Sequence, residues 1–253
     1  MSITLGSMTR AATLNPSANL AVAKHGGIAI DPFGAANQRV EQQLNPTAVK
    51  LSSFSQIKSG FADVQTAAKD LSDPKKTATS SDIAKAAQSF ATAYNAANNA
   101  VDAAVNGDGK KSGSLAGDVR ARIASTGLRS IVTGGSNATD LKKIGISLKP
   151  DGTLAVDTTA LQNAIQTNPN AVKDTLSKIG KQAEQVSAKE LATTGNVGSS
   201  VNTLSNISKN LEAQLAEQKR LATASQDAVQ RQVANITNTT AGGVASYLQT
   251  RSL

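Results

Sequence analysis

The apolar positions of this chain form two long stripes with helical spacing, separated by a block with a different rhythm. The first stripe is Val40, Leu44, Ala48, Leu51, Phe54, Ile57, Phe61, Val64, Ala68 and Leu71. Steps of three and four residues put these side chains on one helix face in a near-heptad repeat, the pattern of a coiled-coil seam. The pattern predicts an N-terminal coiled-coil helix over 37–72 that ends at Asp73-Pro74. Asn45-Pro46 reads as a cap followed by a first-turn proline, so a break or kink is expected there. Residues 1–36 show no period and are rich in Gly, Ser and Asn, which predicts a flexible segment.

A second helix is expected from about Asp82, capped by Ser81, to Val105, with Ile83, Ala87, Phe90, Tyr94, Ala97 and Val101 inward. "NGDGKKSG" (106–113) is a turn-rich loop. A helix from Asp118 to about Val132 places Val119, Ile123 and Ile131 inward and stops at Thr133-Gly134-Gly135. The rhythm then changes. Ile144, Ile146 and Leu148 alternate, Pro150-Asp151-Gly152 turns the chain, and Leu154 and Val156 alternate back, which predicts a hairpin over 144–156. Two strands alone are marginal in water, so this hairpin must pack on helices. Asp157 is placed to cap a helix over 158–167, and Asn168-Pro169 to end it and start another carrying Val172, Leu176 and Ile179.

The second stripe closes the chain. No proline or glycine falls between Ser199 and Thr240. Val201, Leu204, Ile207, Leu211 and Leu215 form one edge, and Ala222, Val229, Val233 and Ile236 resume it. Leaving about eight large apolar side chains wet would forgo about 12–24 kcal/mol. That equals or exceeds the roughly 5–15 kcal/mol net stability of a typical domain. The helix therefore needs a partner, either the 37–72 helix or a second copy. The expected fold is mainly α: an elongated helical bundle or coiled coil from the N- and C-terminal helices, with a small subdomain containing the β-hairpin. Its parts are a flexible segment (1–36), a coiled-coil helix (37–72), an inner helical domain (82–181), and a long C-terminal helix with a mobile tail (182–253).

Composition narrows the chemistry. Aromatics are 2% of the 253 residues, with no Trp, so thin helix-on-helix packing suits the chain better than a thick core. Absence of Cys removes disulfides and thiolate chemistry. The N-terminus has no continuous apolar run of secretory type, and no run reaches the length of a membrane span. Net charge is +8. Between Lys110 and Lys149, eight basic residues (Lys110, Lys111, Arg120, Arg122, Arg129, Lys142, Lys143, Lys149) face two acids, Asp118 and Asp140. A +6 segment could bind nucleic acid or an anionic surface. It lacks the interleaved aromatics of single-strand binders, so a solvated basic face is the reading adopted.

Catalytic, cofactor-binding and metal-binding residues are expected to be none. The lone His25 has no second ligand nearby. Asp108, Asp118, Asp151 and Asp157 each sit where a turn or cap uses a carboxylate. "NGDGKKSG" fails as a P-loop, because position 104 is Ala, and fails as a calcium loop, because Lys110 and Ser112 break the acidic ladder.

Three stretches together resemble one known family. They are "DVRARIASTGLRSIV", "LKKIGISLKPDGTLAVDTTALQNAIQTNPNAVKDTL" and "GNVGSSVNTLSNISKNLEAQLAEQ". They are similar to the C-terminal half of the bacterial flagellar hook-associated protein 2 family, the filament-capping proteins. Leu141, Ile144, Gly145, Ile146, Asp151, Gly152, Leu154, Asn168, Pro169, Ala171 and Val172 fill the family's motif positions. Tyr94-Asn95 matches its Tyr-Asn helix, and "LSSFSQIKSGFADVQTAAKDL" its N-terminal coil. Members usually carry large β-rich outer domains between those two helices, where this chain has only "SDPKKTATSS". The resemblance thus implies a short form, the inner shaft without the outer plate.

It also implies an extracellular structural protein of the flagellum, exported without a cleaved signal peptide and free of catalysis. Expected partners are further copies of itself in a homo-oligomer, flagellin, hook–filament junction proteins and an export chaperone, with no nucleic acid and no membrane insertion. The cap at the filament end is the leading role. An internal or junction subunit of a flagellum-like filament, or a basic binding module, is the alternative. The coil and subunit interface is assigned to Val40, Leu44, Leu51, Phe54, Ile57, Phe61, Val64, Leu204, Ile207, Leu211, Leu215, Val229, Val233 and Ile236.

Overall fold

The computed structural model describes residues 32–251 except Pro74, Lys76 and Ala78. Seven helices and one two-stranded hairpin make up the described residues. In chain order they are α1 (Pro32–Ser72), α2 (Ser80–Val105), α3 (Val119–Thr133), α4 (Asn137–Lys143), β1 (Ile146–Leu148), β2 (Leu154–Val156), α5 (Thr158–Thr167), α6 (Pro169–Leu191) and α7 (Asn196–Arg251). The mainly helical architecture with a small hairpin follows the sequence pattern. The expectation for residues 1–31, His25 included, lies outside the described residues.

α1 starts earlier than expected and shows no break at Pro46. It starts at Pro32 rather than at residue 37, since a first-turn proline lacks only an N–H that would be unpaired anyway. It also runs unbroken through Pro46. A mid-helix proline removes the donor to the carbonyl four residues earlier. Here the neighbouring Gln42, Gln43 and Asn45 are exposed, so water can serve that carbonyl, and Thr47 Oγ1 donates to Gln43 O at 2.7 Å.

α2 is capped by Thr79 and not by Ser81. Thr79 Oγ1 accepts the Asp82 N–H at 3.1 Å, and the Asp82 carboxylate accepts the Thr79 N–H at 3.2 Å. This reciprocal capping box satisfies two otherwise unpaired donors, an arrangement open to Thr79 because an acid stands three residues on. α1 and α2 are joined by residues 73–79 alone.

α1 packs along α2, α6 and α7. Two glycines permit the closest approaches. A Cβ at Gly60 would lie 2.9 Å from Ala97 Cα of α2, and one at Gly180 of α6 would lie 2.7 Å from Ala68 O of α1. Around them lies one core: Phe54, Ile57 and Phe61 of α1, Phe90 and Tyr94 of α2, Leu128 and Ile131 of α3, and Leu176 and Ile179 of α6.

The hairpin docks on α2 through its main chain. β1 and β2 pair antiparallel, Ile146 opposite Val156 and Leu148 opposite Leu154. Asn95 Nδ2 donates to Leu154 O at 2.8 Å, and Leu154 N donates to Asn95 Oδ1 at 2.6 Å. One amide side chain thus supplies both bonds that a third strand would offer, which answers the marginal stability of two strands. Asn98 Nδ2 adds a bond to Asp151 O at 3.2 Å. Replacing Asn95 with Ala should cost about 1–3 kcal/mol, the penalty for half-buried groups left unpaired. Urea unfolding gives the total, and faster exchange of the Leu154 amide identifies the site.

Asp157 caps α5 by accepting the Ala160 N–H at 2.9 Å. Asn168 both ends α5 and caps α6, so a single residue joins the two helices. α6 continues to Leu191, through the boundary placed between 181 and 182. α4, which the sequence pattern did not single out, is seven residues long with Leu141 buried. α7 is 56 residues long and remains helical to Arg251, past Thr240 where the pattern ended.

Candidate functional site

The sequence-assigned interface residues divide into three groups. Phe54, Ile57, Phe61 and Val64 are buried in the chain's own core, and Val40 and Leu211 are buried as well. Leu44, Leu51, Leu204 and Leu215 are half-buried. The remainder face solvent. Val229, Val233 and Ile236 are 53%, 57% and 60% exposed, and Ile207 is also exposed. Past Ala222, every α7 side chain through Ala241 is exposed. At about 100° per residue, Val229, Val233 and Ile236 lie in phase with Leu204 and Leu211. The uncovered stripe therefore continues the same helix face that the body covers farther back.

A second apolar surface corrects the reading of α3. Ile131 is buried as expected, but Val119 and Ile123 are 63% and 47% exposed. The inward face is Ala121, Ala124, Leu128, Ile131 and Val132. Alanines carry the first two turns of that face and the bulkier Val119 and Ile123 face outward, so side-chain bulk pointed to the wrong face. With Val186 of α6, Val119 and Ile123 line an open groove. Asp118 caps α3, accepting from Arg120 N at 2.9 Å and Ala121 N at 3.1 Å.

Each of the other acids considered for chemistry has local work. Asp108 Oδ1 accepts the Lys110 and Lys111 amides at 2.9 and 2.7 Å, and Asp151 Oδ1 accepts from Thr153 N and Oγ1 at 2.9 and 2.6 Å. Among the described residues, no cluster of three His, Cys, Asp or Glu could hold a metal ion. All eight basic residues from Lys110 to Lys149 are exposed. Asp140 pairs with Lys143 at 3.2 Å and with Lys178 at 3.5 Å. No helix among the described residues is long and apolar enough to cross a membrane.

Four surface carboxylates are held below the usual aspartate range by hydrogen bonds. Asp82 is lowered first by the Thr79 hydroxyl, Asp108 by the Lys111 amide, Asp140 by the Ser136 hydroxyl and Asp151 by the Thr153 hydroxyl. A carboxylate whose folded pKa is depressed stabilises the fold fully above its unfolded value, 3.8, and loses that contribution as pH falls through the folded value. Stability should therefore hold from neutral pH down to about 5 and decline between about pH 5 and 2. Urea midpoints across that range test this. Burial raises the Tyr94 phenol to about 12, so it stays neutral throughout.

The arrangement defines a class: a mainly helical module with a packed body, one long half-covered helix and exposed apolar surfaces. The model of the flagellar hook-associated protein 2 C-terminus family matches residues 75–243, about two thirds of the chain. The chain belongs to that family, whose members are exported structural components of the bacterial flagellum. α1 lies outside the match. No curated protein matches the chain.

Proposed function

We propose that this protein is a cap-like homo-oligomeric subunit at the flagellar filament end, where it supports flagellin assembly without catalysing a reaction. The observation that carries the reading is the α7 stripe. Val229, Val233 and Ile236 stand in water on a helix that the body stops covering at Ala222. An apolar seam of that kind is stable only when another chain or segment closes it. The assigned coil positions Ile207, Leu215, Val229, Val233 and Ile236 would then serve subunit contact, while those of α1 hold the body together. Flagellin, junction proteins and an export chaperone are the partners this reading requires.

The seven-residue link between α1 and α2 favours a second reading. With no outer domain inserted there, the subunit is all shaft and would fit inside a filament or at its junction as well as on its tip. Imaging cells that lack the gene separates the two. Short or absent filaments with monomeric flagellin leaking into the medium support the cap. Normal flagellin retention with broken or misjoined filaments supports the internal subunit. Light scattering on the purified full chain tests assembly itself, and a monomer at high concentration would count against both readings.

A further inference from the structure

The two exposed apolar surfaces have complementary shapes. The α3/α6 groove is concave, about 390 Å³ in volume, with Val119, Ile123 and Val186 along its walls. Glu190 lies in its lining and is only 3% exposed, both its carboxylate oxygens accepting from Asn196 Nδ2 at 3.1 Å. Arg122 and Lys189 stand exposed at the rim. The α7 surface is a ridge. At about 100° per residue, Val229, Val233 and Ile236 fall within roughly 60° of one another. Gln226, Gln230 and Gln232 border that arc, while Asp227 and Arg231 point to the opposite side. Ridge spacing at i, i+4 and i+7 is the spacing by which a helix lies in a groove between two others.

We propose that the α3/α6 groove of one copy receives the Val229–Val233–Ile236 ridge of a second copy's α7. The proposal rests on the assembly reading above and names its contact surfaces. Three features support it. An uncharged ridge meets the cationic rim without like-charge repulsion, and its bordering amides bring donors for the remaining lone pairs of Glu190. The contact cannot close within one chain. Asn196 is tied to Glu190 at the groove, and Val233 lies about 55 Å farther along α7. Finally, one contact covers both patches, whereas pairing two α7 ridges with each other would leave Val119 and Ile123 wet. A groove-to-ridge contact is heterologous, so repetition closes a ring or extends as an open helix.

The chain has no cysteine, so an introduced thiol is the only one present. Full-length Ile123→Cys and Val233→Cys proteins are mixed under mild oxidation and read by non-reducing gel and mass spectrometry. The expected result is a mixed disulfide between positions 123 and 233 in several-fold excess over either symmetric product. Ile123→Asp should also lower the scattering mass toward monomer with helicity unchanged. A dominant 233–233 product, or no mixed disulfide from protein that scatters as an assembly, overturns the groove contact and leaves the assembly reading intact. A wild-type monomer at high concentration overturns both.

Discussion

Replacing Phe61 with Ala should lower the unfolding free energy by about 3–5 kcal/mol, the usual cost of emptying a fully buried phenylalanine site. Against a net stability of roughly 5–15 kcal/mol, that is enough to unfold a marginal domain near body temperature. Phe61 is fully buried in the core cluster. Its neighbour Gly60 brings α1 against Ala97, so the helices have little room to collapse into the void. The measurement is the urea midpoint of purified protein, with Val49→Ala as control. Val49 is exposed on α1 and outside the proposed subunit contact, and its truncation should shift stability by no more than about 0.5 kcal/mol. A similar shift from both changes would mean that α1 is not part of the core.

The second large effect falls on assembly and not on the folded monomer. Changing Val229, Val233 and Ile236 together to Asp places three charges on a ridge that the body does not touch. Circular dichroism and the thermal midpoint of the body should stay close to wild type. Association should weaken by more than about a thousandfold, since burying each of these side chains contributes about 1.5–3 kcal/mol and each 1.4 kcal/mol is a factor of ten. Sedimentation over a concentration series reads the change. An unaltered association constant would show that the α7 stripe is not a contact surface.

Much of the local structure was legible because it is decided within a few residues. Asp157 and Asn168-Pro169 start helices at the expected places, as cap and first-turn chemistry require. The 144–156 segment announced its strands by alternation around Pro150-Asp151-Gly152, and the strands form with Ile146 opposite Val156. What the sequence hid depends on contacts between distant residues. Val119 and Ile123 looked like the inner face of α3, but the buried residues of its first two turns are Ala121 and Ala124. Ser81 looked like a cap until Thr79 and Asp82 are seen to satisfy each other. Leu115, in a segment with no periodic pattern, is fully buried. The candidate site was half legible. The α7 stripe stood out by its period, whereas the α3/α6 groove needed the fold to bring Val186 beside Ile123.

The joints around α5 carry a mechanical consequence. One residue, Asp157, separates β2 from α5, and one residue, Asn168, separates α5 from α6. Both are locked by side-chain hydrogen bonds to the helix that follows. Such joints have little slack, so the two capping residues set the course of α5 between a hairpin held on α2 and a helix packed along α1.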